Sequence, residues 1–497
     1  MDINAAVATP ALTLNSKEPL DEETPEAQRA LANLQGNILK GHGRDFGVYI
    51  FFSLPEDPAA AKDLLRDLGQ KYITSALRQH QEAKDFREHK IPGGLFGGLS
   101  LSATGLKGLR VWDDMPDEEA TGPNDAASTF KGGLAATAEG DFADDKSIWD
   151  KGYQAGSLDA LLLLADDDES FLLEESRGAQ EVINRSGKVV VVEFGTVLRN
   201  ADKEGIEHFG YVDGRSQPLY LKSDFVYEEE KRIGERVGKE TGGIKNWDPL
   251  EPLERVLFPD PLMREDATCF GSYLVFRKLE QNVFRFKARE SDLGDALGFI
   301  GPDRERAGAL VVGRFEDGTP VTLHKTDGQR PSQDNDFTYA GDHPAPGGAM
   351  KCPFQAHIRK TNPRGDTVRE FGVSDEAERA RRITRRGIPY GKRKENPDAV
   401  QDSDDLPTGD VGLLFMCYQA SIREQFAFMQ KDWCNRTGFL RPGTGIDPVV
   451  GQGGGDGTIS EWPKDYPGVP NIPLDFRDFV HMKGGEFFYT PSVKFFQ

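Results

Sequence analysis

SLDALLLLADDDESFLLEESRGAQEV, Ser157 to Val182, decides the architecture: an apolar strand-like run leads directly into an amphipathic helix. VGLLFMCYQASIREQFAFMQKDW, Val411 to Trp433, repeats that order in the second half of the chain. Two further stretches follow it. In RDFGVYIFFSL the β-prone run Val48 to Phe52 precedes a helical pattern from Asp57 to Arg78, entered through Pro55 and Asp57. In GSYLVFRKLEQNVFRFKAR the run Tyr273 to Arg277 precedes a helix-prone segment, Glu290 to Phe299. Val189 to Phe194 adds another strand. The pattern recurs without the residues recurring, which predicts an α+β chain of two similar domains, each a ferredoxin-like antiparallel sheet with peripheral helices.

At 497 residues the chain exceeds what one hydrophobic core usually serves. Residues 1–30, rich in Ala, Pro and Glu, read as a flexible arm, and Gln28 to Gly43 as a short amphipathic helix broken by glycines. The polar stretch Ser223 to Lys245, followed by Pro249, Pro252 and Pro259, reads as the connection between the halves. This places an N-terminal domain at 31–260 and a C-terminal domain at 261–497, with the boundary near Asp260. No run of about 18 apolar residues is present, so no membrane-spanning helix is expected. The start MDINAAVATPALTL has neither the basic nor the apolar region of a secretory signal, so the expected location is cytoplasmic. A formal charge of −21 repels phosphate backbones and argues against a nucleic-acid partner.

Four stretches carry candidate chemistry. EHFGYVDGRSQP, Glu207 to Pro218, holds Asp213 among glycines, either as an ordinary Asp-Gly turn or as a carboxylate aimed inward. His357, in FQAHI, has the alternating apolar context that buries a neutral imidazole, as hydrogen-bonded filler or as a metal ligand. The other histidines read as exposed, except His208 beneath the Gly-rich turn. In ITRRGIPYG, Arg385 or Arg386 is either a permanent cation in a pocket or the end of a charged helix running from Glu376 to Arg386. In GLLFMCYQ, Leu413 and Phe415 share one strand face, as core or as pocket wall. Cys269, Cys352, Cys417 and Cys434 lack any C-x-x-C spacing and read as buried thiols, and GQGGGDG, Gly451 to Gly457, as a loop rather than a phosphate cradle.

Together these stretches resemble the dye-decolorizing peroxidases, haem enzymes built of two ferredoxin-like domains. GYVDG followed by RSQP, NLQGNILKGHGRD, AHIRKTNPR, RRGIPYG and GLLFMCYQ match family segments, from about Asn33 to Phe496. The resemblance implies haem b (iron protoporphyrin IX), held mainly by the C-terminal domain with His357 as the iron ligand and Asp447 as its hydrogen-bond partner. It implies Asp213 and Arg385 as catalytic groups on the opposite face, Leu413 and Phe415 as walls, and Arg314 against a haem propionate. Hydrogen peroxide would be reduced to water by way of a ferryl intermediate, at the expense of organic donors such as anthraquinone or azo dyes and phenolics. Dyes too large for the pocket would pass electrons through a surface aromatic, with Tyr390, Trp433 and Trp462 as candidates, or at an exposed haem edge, and homo-oligomer formation is left open. Two alternatives stand beside this reading: a haem-binding protein for haem or iron handling, and a ferredoxin-like binding module in which His357 and Asp213 are structural.

Overall fold

The structure is a computed structural model and describes residues 11–115, 129–154, 157–235, 244, 246–328, 335–343, 350–394, 396–397, 405–453, 456–466 and 471–497. Its core strands are β1 (Phe46–Ser53), β2 (Phe96–Ser102), β3 (Ala160–Asp166), β4 (Lys188–Thr196), β5 (Phe270–Gln281), β6 (Ile388–Tyr390), β7 (Gly412–Gln419) and β8 (Val480–Thr490). In the first half the antiparallel order is β4-β1-β3-β2, and in the second it is β8-β5-β7-β6. Each half runs strand, helix, two strands, helical segment, strand, which is the ferredoxin-like unit expected from the sequence.

The two sheets join edge to edge. Tyr390 of β6 pairs with Gly195 of β4, while Phe488 and Tyr489 of β8 pair with Ser102 and Leu101 of β2. The result is a closed eight-stranded barrel with no free edge in the ring. A Cβ on Gly195 would stand 2.5 Å from Ile388, so the missing side chain lets β6 reach β4. Aromatic side chains from both halves meet in the core: Phe51 lies 4.7 Å from Phe276 and 6.0 Å from Phe488, ring centre to ring centre. Burying each such ring contributes about 1.5–3 kcal/mol.

Helices α1 (Pro25–Asn33), α2 (Pro58–Tyr72), α3 (Ala76–His89), α4 (Glu169–Ile183) and α5 (Val283–Leu297) are seated by side-chain caps. Asp57 accepts from Ala59 N and Ala60 N, Asp168 from Phe171 N, and Asn282 from Arg285 N. Several local expectations need correction. The helix expected over Asp57 to Arg78 is two, because Ser75 caps a new helix. The Asn282 cap starts α5 earlier than Glu290. The first helix precedes the glycines of Gln28 to Gly43, and its burial of Ala27 and Ala30, together with the bridge from Leu20 to Leu221, orders part of the expected arm. Part of the polar connection is a helix, Lys222–Glu235, and the remainder of it up to Lys245, like part of the 451–457 loop, lies outside the described residues, Ile244 excepted.

Candidate active site

His357 opens helix α6 (His357–Thr361), and its side chain is 24% exposed. Its Nδ1 lies 2.9 Å from Asp447 Oδ2. Asp447 is fully buried, and its other oxygen accepts from Val449 N at 2.8 Å and Val450 N at 2.9 Å. Burial pushes the Asp447 carboxyl up, but His357 and the two amides outweigh it and hold it below its ordinary value. Burial pushes the imidazole down, and Asp447 overcomes this and raises it. An ionised Asp447 accepts from Nδ1–H, so a neutral imidazole keeps its lone pair on Nε2.

Asp213 sits in a tight loop, with Gly210 and Gly214 at φ of 99° and 76°, a backbone that favours glycine. Its Oδ1 accepts from Gly214 N at 2.6 Å and from Arg385 Nη1 at 2.7 Å. Burial pushes this carboxyl up, yet the Arg385 charge and the Gly214 amide hold it below the ordinary carboxylate value. Arg385 is not at a helix end, as a helix from Glu376 to Arg386 would require: the helix stops at Arg379, and Thr384 and Arg385 pair with Tyr418 and Cys417 of β7. Strand alternation therefore sends neighbouring arginines apart. Arg385 meets Asp213, whereas Arg386 donates to Asn37 O at 2.6 Å and Ile38 O at 3.0 Å.

A single cavity is lined by Asp213, Arg314, His357, Arg385, Leu413 and Phe415, with Asp447 behind His357. Leu413 and Phe415 are alternate residues of β7, and Leu414 between them is fully buried. Arg314 donates to Gly318 O at 2.9 Å and Asn335 Oδ1 at 2.5 Å. Apolar side chains, including Leu279, Val312, Ile358, Met429 and Val450, complete the walls. Met429 belongs to a π-helical segment, Met429–Cys434, of the kind often found at functional sites.

These residues fit a haem. Among the described residues no cluster of three or more His, Cys, Asp and Glu could hold a metal unaided. One oriented imidazole in an apolar cavity suits a metal that brings its own equatorial ligands, and a nearby guanidinium suits its carboxylates.

Comparison with known proteins agrees. Residues 33–198 match the model of the DyP dimeric alpha+beta barrel domain, and residues 243–439 match the Dyp-type peroxidase C-terminal model. The multifunctional dye peroxidase DyP2 of Amycolatopsis sp. is 40% identical over 478 residues, covering 95% of this chain and 96% of that protein. The chain belongs to the dye-decolorizing peroxidase family. The solved structure of that Amycolatopsis protein superposes with a TM-score of 0.85 over 98% of this chain and 99% of its own. The DyP-type peroxidase of Anabaena sp. gives a TM-score of 0.83 at 37% identity, over 97% of both chains. Dye-decolorizing peroxidase msp1 of Mycetinis scorodonius is 29% identical over 97% of this chain and 91% of its own.

In this dye-decolorizing peroxidase several site residues carried no individual signal in the sequence. Gln217 Oε1 accepts from Arg385 N at 3.1 Å, so the RSQP segment fixes the arginine's backbone. Glu207 lines the cavity, and burial pushes its carboxyl up to about 7 although Phe209 N, Gln281 and Tyr211 N all donate to it. Tyr390, Trp433 and Trp462 are all buried, so none is the surface aromatic proposed from the sequence. Of the histidines read as exposed only His89 is so: His42, stacked on Phe96, His343, 3.0 Å from both Asp366 and Glu370, and His80, His324 and His481 are partly buried. His208 is buried as expected, and so are the four cysteines. No helix among the described residues is long and apolar enough to cross a membrane.

Proposed function

We propose that His357 Nε2 would hold the iron of haem b and that Asp213 and Arg385, which line the same cavity, would act on hydrogen peroxide. The observation that supports this most strongly is the 2.9 Å contact of His357 Nδ1 with Asp447 Oδ2, which leaves Nε2 for iron in a cavity that the Asp213–Arg385 pair also lines. Haem, when bound, supplies the iron that meets peroxide and the redox capacity for two one-electron oxidations of a donor.

The chain's own residues handle protons and charge. A carboxylate oxygen of Asp213 would take a proton from one oxygen of hydrogen peroxide and return it to the other, which leaves as water. Arg385 stabilises the negative charge on that departing oxygen, and it also keeps Asp213 ionised at pH values where an ordinary carboxyl is protonated. Asp447 anchors His357 and increases its basicity. Leu413 and Phe415 line the same cavity, where they would narrow the approach so that peroxide enters while bulky donors stay outside. Arg314, on the cavity wall, would meet a haem carboxylate. The donors are anthraquinone and azo dyes and phenolics.

An absorption spectrum of freshly purified protein, followed by hydrogen peroxide and then a dye, tests the reading. A haem spectrum that changes on peroxide addition and returns with loss of dye colour is expected. A colourless protein contradicts it, and haem without peroxide turnover favours haem or iron handling instead.

A further inference from the structure

Arg382 stands three residues before Arg385, and its side chain is 10% exposed. One nitrogen is occupied, since Nη1 donates to Asp248 O at 3.1 Å and to Glu251. The other two, Nε and Nη2, are buried and have no partner. Nε–H and one N–H of Nη2 run parallel along one edge of a guanidinium, the edge that grips a carboxylate with two hydrogen bonds. Buried donors without acceptors are rare in folded proteins, and a pair of them on one edge points to a ligand that supplies both oxygens. The neighbouring carboxylates are committed elsewhere: Glu251 also meets Arg379, and Asp248 lies 3.5 Å from Arg379. Burial pushes the Arg382 guanidinium down to about 10, which leaves it protonated at neutral pH.

Its place in the fold says where the ligand comes from. Arg382, Arg364 and Trp247 line both the catalytic cavity and a second cavity that includes Asn246, Arg369 and Arg379, so they form the wall between the two. Arg382 stacks 3.8 Å from the centre of the Trp247 ring, and Arg364 lies 4.7 Å from it. The stack fixes the plane of the guanidinium and therefore the direction of its vacant edge.

We propose that the Nε–Nη2 edge of Arg382 is a carboxylate-binding fork on the wall shared by the two cavities. Two molecules carry the required group: haem, whose carboxylates would approach from the catalytic cavity, and an aromatic-acid electron donor, which would enter from the second cavity beside Trp247. The proposal rests on the haem-pocket reading above.

The test uses the full-length holoenzyme and two variants: Arg382→Lys, which keeps the charge but has no two-pronged edge, and Arg382→Gln, which serves alone should the lysine variant not fold. Two readouts separate the sources. Haem loss to apomyoglobin is followed for haem and for haem with methyl-esterified carboxylates, and KM is measured for 4-hydroxybenzoate and for uncharged phenol. If the fork holds haem, the variants lose haem about tenfold faster, while the esterified haem leaves parent and variants at equal rates. If it holds the donor, KM for 4-hydroxybenzoate rises about tenfold, with KM for phenol and haem loss unchanged. Folded, haem-loaded variants that match the parent in every reading overturn the fork alone. A parent protein that binds no haem overturns both the fork and the reading beneath it.

Discussion

Asp213 Oδ1 accepts a hydrogen bond from Arg385 Nη1 at 2.7 Å, and both residues line the cavity that His357 enters from α6. The ion pair joins a loop between the two halves to the edge strand beside β7, so the reactive geometry depends on the barrel that brings them together.

The pair sets an acid limit. Because the Asp213 carboxyl is held below its ordinary value, its basic form persists as pH falls through the usual carboxylate range near 3.9. Removing the guanidinium lets burial raise that value, so Arg385→Leu should move the acid limb of the peroxide reaction to higher pH and slow the reaction about 100-fold. Stopped-flow pH profiles of the two proteins check this. An unmoved acid limb would assign the proton to another group.

Arg386 provides the contrast. Arg386→Leu removes the donors for Asn37 O and Ile38 O, and should cost about 2–4 kcal/mol of stability while leaving the peroxide rate within about threefold. Denaturant unfolding and stopped-flow on the same sample decide it. A large loss of peroxide rate with full stability would mean that the roles of the two arginines are reversed.

Asp447→Asn keeps an acceptor beside His357 Nδ1 but removes its charge. Iron affinity should fall about 10- to 100-fold, measured as faster haem transfer to apomyoglobin. An unchanged transfer rate would reduce Asp447 to a packing residue.

On the wall of the cavity, Arg277 of β5 is gripped by both oxygens of Asp144, at 2.5 and 2.6 Å, with side chains 3% and 0% exposed. Asp144→Ala strands a buried cation and should destabilise the protein by about 3–5 kcal/mol. Urea unfolding measures this, and a loss below about 1 kcal/mol would show that water replaces the carboxylate.

Much of this was legible before any coordinates. Each strand–helix unit announces itself by the change from an apolar run to helical spacing, whereas Asp213, His357 and Arg385 were singled out by the resemblance of their motifs to family segments. The barrel was not legible, because its two seams rest on one residue pair and two residue pairs, and no periodicity in β4 or β8 marks them. Charges from Glu376 to Arg386 look helical, yet pairing with β7 claims Thr384 and Arg385, and tertiary pairing outweighs local propensity. The vacant edge of Arg382 is a fact of side-chain direction, which spacing does not encode.

The central claim is that one imidazole nitrogen of His357 bonds iron across the cavity from Asp213 and Arg385. The most direct measurement is the absorption spectrum of purified His357→Ala with and without added imidazole. The account predicts a protein that has lost or loosened its haem, with a histidine-type spectrum regained when imidazole is supplied. An unchanged five-coordinate histidine spectrum in His357→Ala without imidazole would contradict it.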